Sequence, residues 1–208
     1  MTAGGRRTGR RPGSADTRGR ILDAARAAFG DRGYDGASVR QIAADAGVDP
    51  ALVHHYFGPK QRLFIAAMTF PVDPAVALPR VLAGGPREEL GERFVRFIVA
   101  LWDRPDVRPL VAGVIRSAVS DPVAATMARR LLTDGPLLAI ATSISMPDAP
   151  LRAALASAQL MGLAMARYVI AVEPVASMSP QELAPLVGPA IQRYLVGDLG
   201  PAATASRG

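Results

Sequence analysis

The chain predicts an all-α fold in two parts, a compact N-terminal head of three helices and a larger helical body. Three observations carry that expectation. Apolar residues recur at intervals of three and four along most of the 208 positions. Glycine, proline and Ser-Pro or Asp-Pro pairs punctuate those runs where helices start and stop, and no segment alternates with the two-residue period of a strand. A chain of this length buries a real core, and one head with one body is the economical division.

Residues 1–14 form a Gly- and Arg-rich lead-in that includes Arg6, Arg7, Arg10 and Arg11. With so little apolar content it is expected to be a disordered basic arm. Thr17 to Phe29 then sets Ile21, Leu22, Ala25, Ala28 and Phe29 on one side of a helix closed by Gly30 and Gly33. The stretch from Ser38 to Lys60 reads SVRQIAADAGVDPALVHHYFGPK. Ser38 is placed to cap a helix whose inner face is Val39, Ile42, Ala43 and Ala46. Gly47 ends it, because a residue without a side chain enters the left-handed region cheaply, and Val48 pins the turn against the core. Asp49 caps the next helix and Pro50 fits its first position. Val53 and Phe57, four apart, face inward, which leaves Pro50, Ala51, Leu52, His54 and His55 facing outward. Two short helices about a glycine corner make a helix-turn-helix, a DNA-reading arrangement, although such corners also occur in domains that only bury apolar faces. Lys60, Leu63, Phe64 and Ala67 open a fourth helix. The head is thus placed at residues 15–62.

Charge agrees with a nucleic-acid partner at this end. Residues 1–62 hold eleven basic and six acidic side chains, against thirteen and twelve in the remainder, so the positive field sits on the head. Much of it comes from the four arm arginines with Arg18 and Arg20. The arm either follows a phosphate backbone or minor groove, or is a solvated tail.

The body, residues 63–200, reads as helices separated by Pro and Gly, with a flexible tail at 201–208. The helix from Lys60 breaks at Phe70-Pro71-Val72-Asp73-Pro74, and another runs from Arg87 to Asp103 with Leu90, Phe94, Phe97, Ile98 and Leu101 as its stripe. Further helices are predicted from Val107 to Ser120, from Asp121 with Pro122 at its first position to about Thr133, and from Gly135 to about Ile144. Asp148 to Val172 is crowded with small residues, including Ala154, Ala158 and Gly162, which lets another helix approach closely. Ser179-Pro180-Gln181-Glu182 is a capping box opening the last helix, which stops at Gly197 and which Pro185 and Pro189 are expected to bend.

Phe29, Gly33, Tyr34, Ser38-Val39, Ile42-Ala43, Ala46-Gly47-Val48, Tyr56-Phe57, Lys60 and Leu63 fall in the order and spacing of the TetR family. The chain resembles a TetR-type transcriptional regulator over about residues 15–65. The resemblance implies a repressor that binds a palindromic operator in double-stranded DNA, leaves it when a small-molecule effector binds the body, and forms a homodimer through its last two helices. It places DNA contacts at Ser38, Arg40, Pro50, Ala51, Leu52, His54, His55, Tyr56 and Lys60, with Arg40 suited to guanine and Lys60 to a phosphate. His54 stands where the family usually has Tyr, and apolar Pro50 and Leu52 stand where polar or basic residues are frequent. For an effector pocket the body offers Phe94, Phe97, Trp102, Arg116, Met127, Met161, Met165 and Tyr168, most of them expected to be core.

Other classes are constrained by what the chain contains. There is no cysteine, and the only histidines are the adjacent His54 and His55, so no metal site or cofactor is expected. Scattered carboxylates without a separate histidine or cysteine argue against an enzyme. The start places no apolar segment behind its arginines, and Leu155 to Val172 is interrupted by Ser157, Gln159 and Arg167, so neither a secretory leader nor a membrane span is expected, and a cytoplasmic location is the expectation. An effector-independent DNA-binding protein, architectural or constitutively repressing, is the alternative to a sensor.

Overall fold

The computed structural model describes residues 12–69 and 81–200. The expected basic arm therefore lies outside the described residues up to position 11, as do Pro71 to Pro74 and the tail at 201–208. Among the described residues there are helices and no strands. The head comprises α1 (Pro12–Gly36), α2 (Val39–Asp45) and α3 (Pro50–Phe57), and α4 (Lys60–Ala67) leads out of it. In the body, a 3-10 turn (Arg87–Glu89) enters α5 (Leu90–Trp102), followed by α6 (Arg108–Ser120), α7 (Pro122–Thr133) and α8 (Pro136–Ser143). Then come α9 (Ala149–Met165), which continues as a π-helical stretch (Ala166–Ile170), and α10 (Pro180–Val196).

Three details of the sequence reading change. α1 begins at Pro12, so positions 12–14 belong to a helix. Gly30 does not close α1; the break comes at Gly33, whose φ of 68° is left-handed. Gly30 serves close approach instead, since a Cβ there would lie 2.9 Å from the Pro109 carbonyl oxygen. Ser38 holds the N-cap position with extended backbone, but its hydroxyl makes no capping bond. α10 is one continuous helix with Pro185 and Pro189 inside it. The two prolines are four apart on its exposed side, where an unbonded carbonyl is tolerated.

Two buried clusters organise the packing. In the head, Ile21, Ala25, Phe29, Ile42, Val53, Leu63 and Phe64 close around one another, and Leu110 and Val114 of α6 join the same cluster. The Phe29 and Phe64 rings meet edge to face at 5.0 Å, and Tyr34 meets Phe64 likewise at 5.2 Å. The body cluster gathers Leu90, Phe94, Ile98, Ile140, Leu160, Leu183 and Ile191. Within it α5 and α10 cross at two glycines: a Cβ on Gly188 would lie 2.8 Å from Glu92 Cα and 2.9 Å from Glu92 N. The Gln192 amide staples this crossing, accepting from Gly91 N–H at 2.7 Å and donating to the Arg87 carbonyl at 2.9 Å.

Two arginines tie the long helices down. Arg152, 6% exposed, donates to the carbonyls of Pro147 at 2.8 Å, Tyr194 at 3.0 Å and Gly197 at 2.9 Å. Its charge thus meets the negative end of α10. Arg152→Met should lower stability by about 1 to 2 kcal/mol, because those carbonyls lose a charged donor; equilibrium urea unfolding measures it. Arg167 pairs with Asp103 at 2.8 Å, and the Tyr168 hydroxyl donates to the same carboxylate at 3.0 Å. Burial, reinforced by the Asp103 charge, pushes the Tyr168 phenol far above its ordinary range, so it remains a donor. The segment Ala149–Ile170 is long and apolar enough to cross a membrane by composition. Arg152 and Arg167 lie buried along it and bonded to neighbouring elements, so one face of the segment is packed against the body.

Candidate DNA-reading surface

The corner between α2 and α3 is fixed by backbone bonds. Gly47, with φ of 64°, donates its N–H to the Ala44 carbonyl at 3.0 Å, and Val48 donates to Ala43 at 2.9 Å. These two bonds are the Schellman pattern, which satisfies carbonyls that a helix end would otherwise leave open. Asp49 then accepts from Ala51 N–H at 2.7 Å and starts α3. Ile42, Ala43, Val53 and Phe57 are buried, and this sets the rotation of both helices. Outward stand Ser38, Arg40, Pro50, Ala51, Leu52, His54 and His55, all exposed.

The remaining two sequence-selected residues are half-buried. The Tyr56 ring lies edge to face with His55 at 5.5 Å. The Lys60 ammonium sits 4.5 Å over the Tyr34 ring, which orients it at the entry to α4. Partial burial, with the charges of Asp121 and Asp35, raises the Tyr34 phenol above its usual value. Arg40 has no ion pair among the described residues. Its acidic neighbour on α2, Asp45, is engaged by Gln41 at 2.8 Å and Arg32 at 4.0 Å. An exposed guanidinium thus stands on α2, in no ion pair among the described residues and free to form two parallel bonds to an acceptor edge.

Sequence reasoning missed the joint that fixes this surface to the body. Ser117 of α6 is fully buried and accepts from the Tyr34 N–H at 2.8 Å, and Arg116 donates to the Gly30 carbonyl. Gly113 lies against the same helix, since a Cβ there would be 3.1 Å from the Phe29 carbonyl oxygen and from Met68 Sδ. On the other side Arg26 donates to the Ala67 carbonyl of α4 at 3.2 Å. A serine within the otherwise apolar face of α6 was the available signal, because a buried hydroxyl requires a partner.

A cleft of about 850 Å³ opens between α4 and the α7–α8 corner, lined by Gln61, Ile65, Val123, Met127, Arg130 and Ala139 among others. Of the eight residues selected for an effector pocket, Met127 lines it. Phe94 is buried in the body cluster with Phe97 packed beside it. Trp102, Met161, Met165 and Tyr168 surround a third cluster around Val111 and Ile115, and Arg116 is committed to Gly30.

A helical head with α3 turned outward, carried on a larger helical body, is the architecture of a DNA-binding transcriptional regulator. Known proteins agree in both halves. Residues 21–67 match the family model for bacterial regulatory proteins of the tetR family, and residues 88–195 match the tetracyclin repressor-like C-terminal domain. The chain belongs to the TetR family. A TetR-family regulator from Streptomyces coelicolor A3 is 38% identical, covering 90% of this chain and 98% of that one with a TM-score of 0.56. NalD, the secondary repressor of the MexAB-OprM multidrug efflux pump in Pseudomonas aeruginosa, shares the fold at 20% identity, with 89% and 100% coverage and a TM-score of 0.64. The HTH-type transcriptional regulator BetI of Brucella anthropi is 52% identical over 48 residues, 23% of this chain. The matched stretch spans only about a quarter of that curated relative's length, 25%.

Proposed function

We propose that the protein is a cytoplasmic repressor which binds a palindromic operator as a homodimer and is released by a small-molecule effector. The observation that carries the reading is the outward face of α3, together with the exposed Arg40 of α2, which has no ion pair among the described residues. Two such faces, held one helical turn of DNA apart, read two half-sites and convert weak single contacts into a selective one. Ser38, Arg40, Pro50, Ala51, Leu52, His54, His55, Tyr56 and Lys60 are assigned to that contact.

Support for the dimer comes from the last two helices. Leu186 is 67% exposed and Leu151 40%, and Ala154, Ala158 and Gly162 line up at four-residue spacing on the exposed side of α9. A second copy covers such a face by close helix packing. Support for the effector comes from the cleft at α4, since a ligand there touches both the helix leaving the head and the α7–α8 corner of the body. A ligand that prefers a different spacing of the two heads lowers operator affinity by its differential affinity for that state. The effector-independent alternative is favoured by one observation: most of the selected pocket residues are engaged in packing or in bonds of the body itself.

The test is a mobility-shift and footprinting assay on the DNA upstream of the protein's own gene, with the assembly state measured by light scattering. A dimer protecting two symmetric half-sites is expected. A monomer that binds all duplexes alike would overturn the reading. Release of the bound duplex by members of a small-molecule library, found by thermal shift, separates the sensor from the constitutive repressor.

A further inference from the structure

The outer face of α3 is unusual in its chemistry for a surface that meets a polyanion. It carries no lysine or arginine, and its first three residues, Pro50, Ala51 and Leu52, are hydrocarbon. Leu52 stands 39% exposed while Val53 beside it is fully buried, so no rotation of the helix accounts for a leucine in water. The N-terminal residues of a recognition helix are those that meet base edges in the major groove. There the thymine 5-methyl is the apolar group on offer, and guanine, cytosine and adenine present only donors and acceptors. A leucine set against those polar atoms would strip their water and return no hydrogen bond. Against a thymine methyl, both surfaces leave water together.

We propose that Leu52, with Ala51 beside it, reads thymine 5-methyl groups in each half-site. Arg40 supplies the polar contact next to them. Leu52 and His55, three apart, share a side of α3, which places an imidazole one turn further along the same groove. The inference rests on the DNA-reading proposal above and adds to it which base the apolar part of the face selects.

The experiment selects a duplex from a random pool with the full-length chain, then replaces each selected thymine by uracil, which removes the 5-methyl and changes nothing else. At one position per half-site uracil should weaken binding about fourfold, and on the order of fifteenfold with both half-sites replaced. Leu52→Ala should lose most of the thymine–uracil difference at the position Leu52 reads, with its melting temperature unchanged as expected for an exposed side chain. Indifference of the wild-type chain to uracil at every position would overturn the thymine reading alone, leaving the DNA-reading proposal intact. Discrimination that survives undiminished at every position in Leu52→Ala would overturn the assignment to Leu52, again leaving the DNA-reading proposal intact. A chain that selects no sequence from the pool would overturn both.

Discussion

Gly188→Ala should destabilise the body by about 3 kcal/mol, at the upper end of what overpacking a closed core costs. The reason lies in what the new methyl meets: 2.8 Å from Glu92 Cα and 2.9 Å from Glu92 N, both backbone atoms of a buried helix. A flexible side chain would swing away, but here α5 or α10 must move bodily. Moving them also breaks the Gln192 staple between Gly91 and Arg87. Urea unfolding followed by circular dichroism, at fixed protein concentration because a dimer's stability depends on it, gives the change directly. Gly162→Ala is the internal control. Nothing lies within 4 Å of a Cβ at that position, and alanine favours the helix by up to about 1 kcal/mol over glycine. A weakened dimer in that variant, with an intact fold, would place the partner helix against α9. An unchanged melt for Gly188→Ala would mean that α5 and α10 do not cross at these glycines.

What the sequence made legible, and what it hid, divides by distance along the chain. The Gly47 corner, the Asp49 and Asp121 caps and the Ser179–Glu182 capping box are written within four residues of where they act, and each stands as read. Gly30 was misread because a glycine that ends a helix and one that admits a neighbour look alike locally. Only Pro109, far along the chain, distinguishes them. Long-range ties were equally silent: Tyr34 to Ser117 spans 83 positions, and Arg167 to Asp103 spans 64. Large apolar residues at helical spacing predict burial well, as Phe94 and Tyr168 illustrate. They cannot predict a cleft, which is defined by where packing stops. Met127 lines the cleft together with Gln61 and Ile65 of α4, which carry no mark of it in the sequence.

Arg40→Ala should cost about 2 to 3 kcal/mol in binding the selected operator and much less on an unrelated duplex. That difference is the signature of a bidentate contact to a base edge, which disappears with the guanidinium. The side chain is well placed for the role because it is exposed and unpaired while Gln41 and Arg32 occupy Asp45, so no internal bond must break before it reaches DNA. Lys60→Ala provides the contrast. Its ammonium, held over the Tyr34 ring at the start of α4, is assigned to a phosphate, and phosphates are the same on every sequence. Losing it should weaken all duplexes to a similar degree and reduce the slope of log affinity against log salt by about one for each contact removed. Titrations of both variants against operator and scrambled duplexes at several salt concentrations separate the two roles. If Arg40→Ala weakens every duplex equally and lowers the salt slope, the guanidinium grips backbone. Base selection would then fall to the hydrocarbon and imidazole side chains of α3.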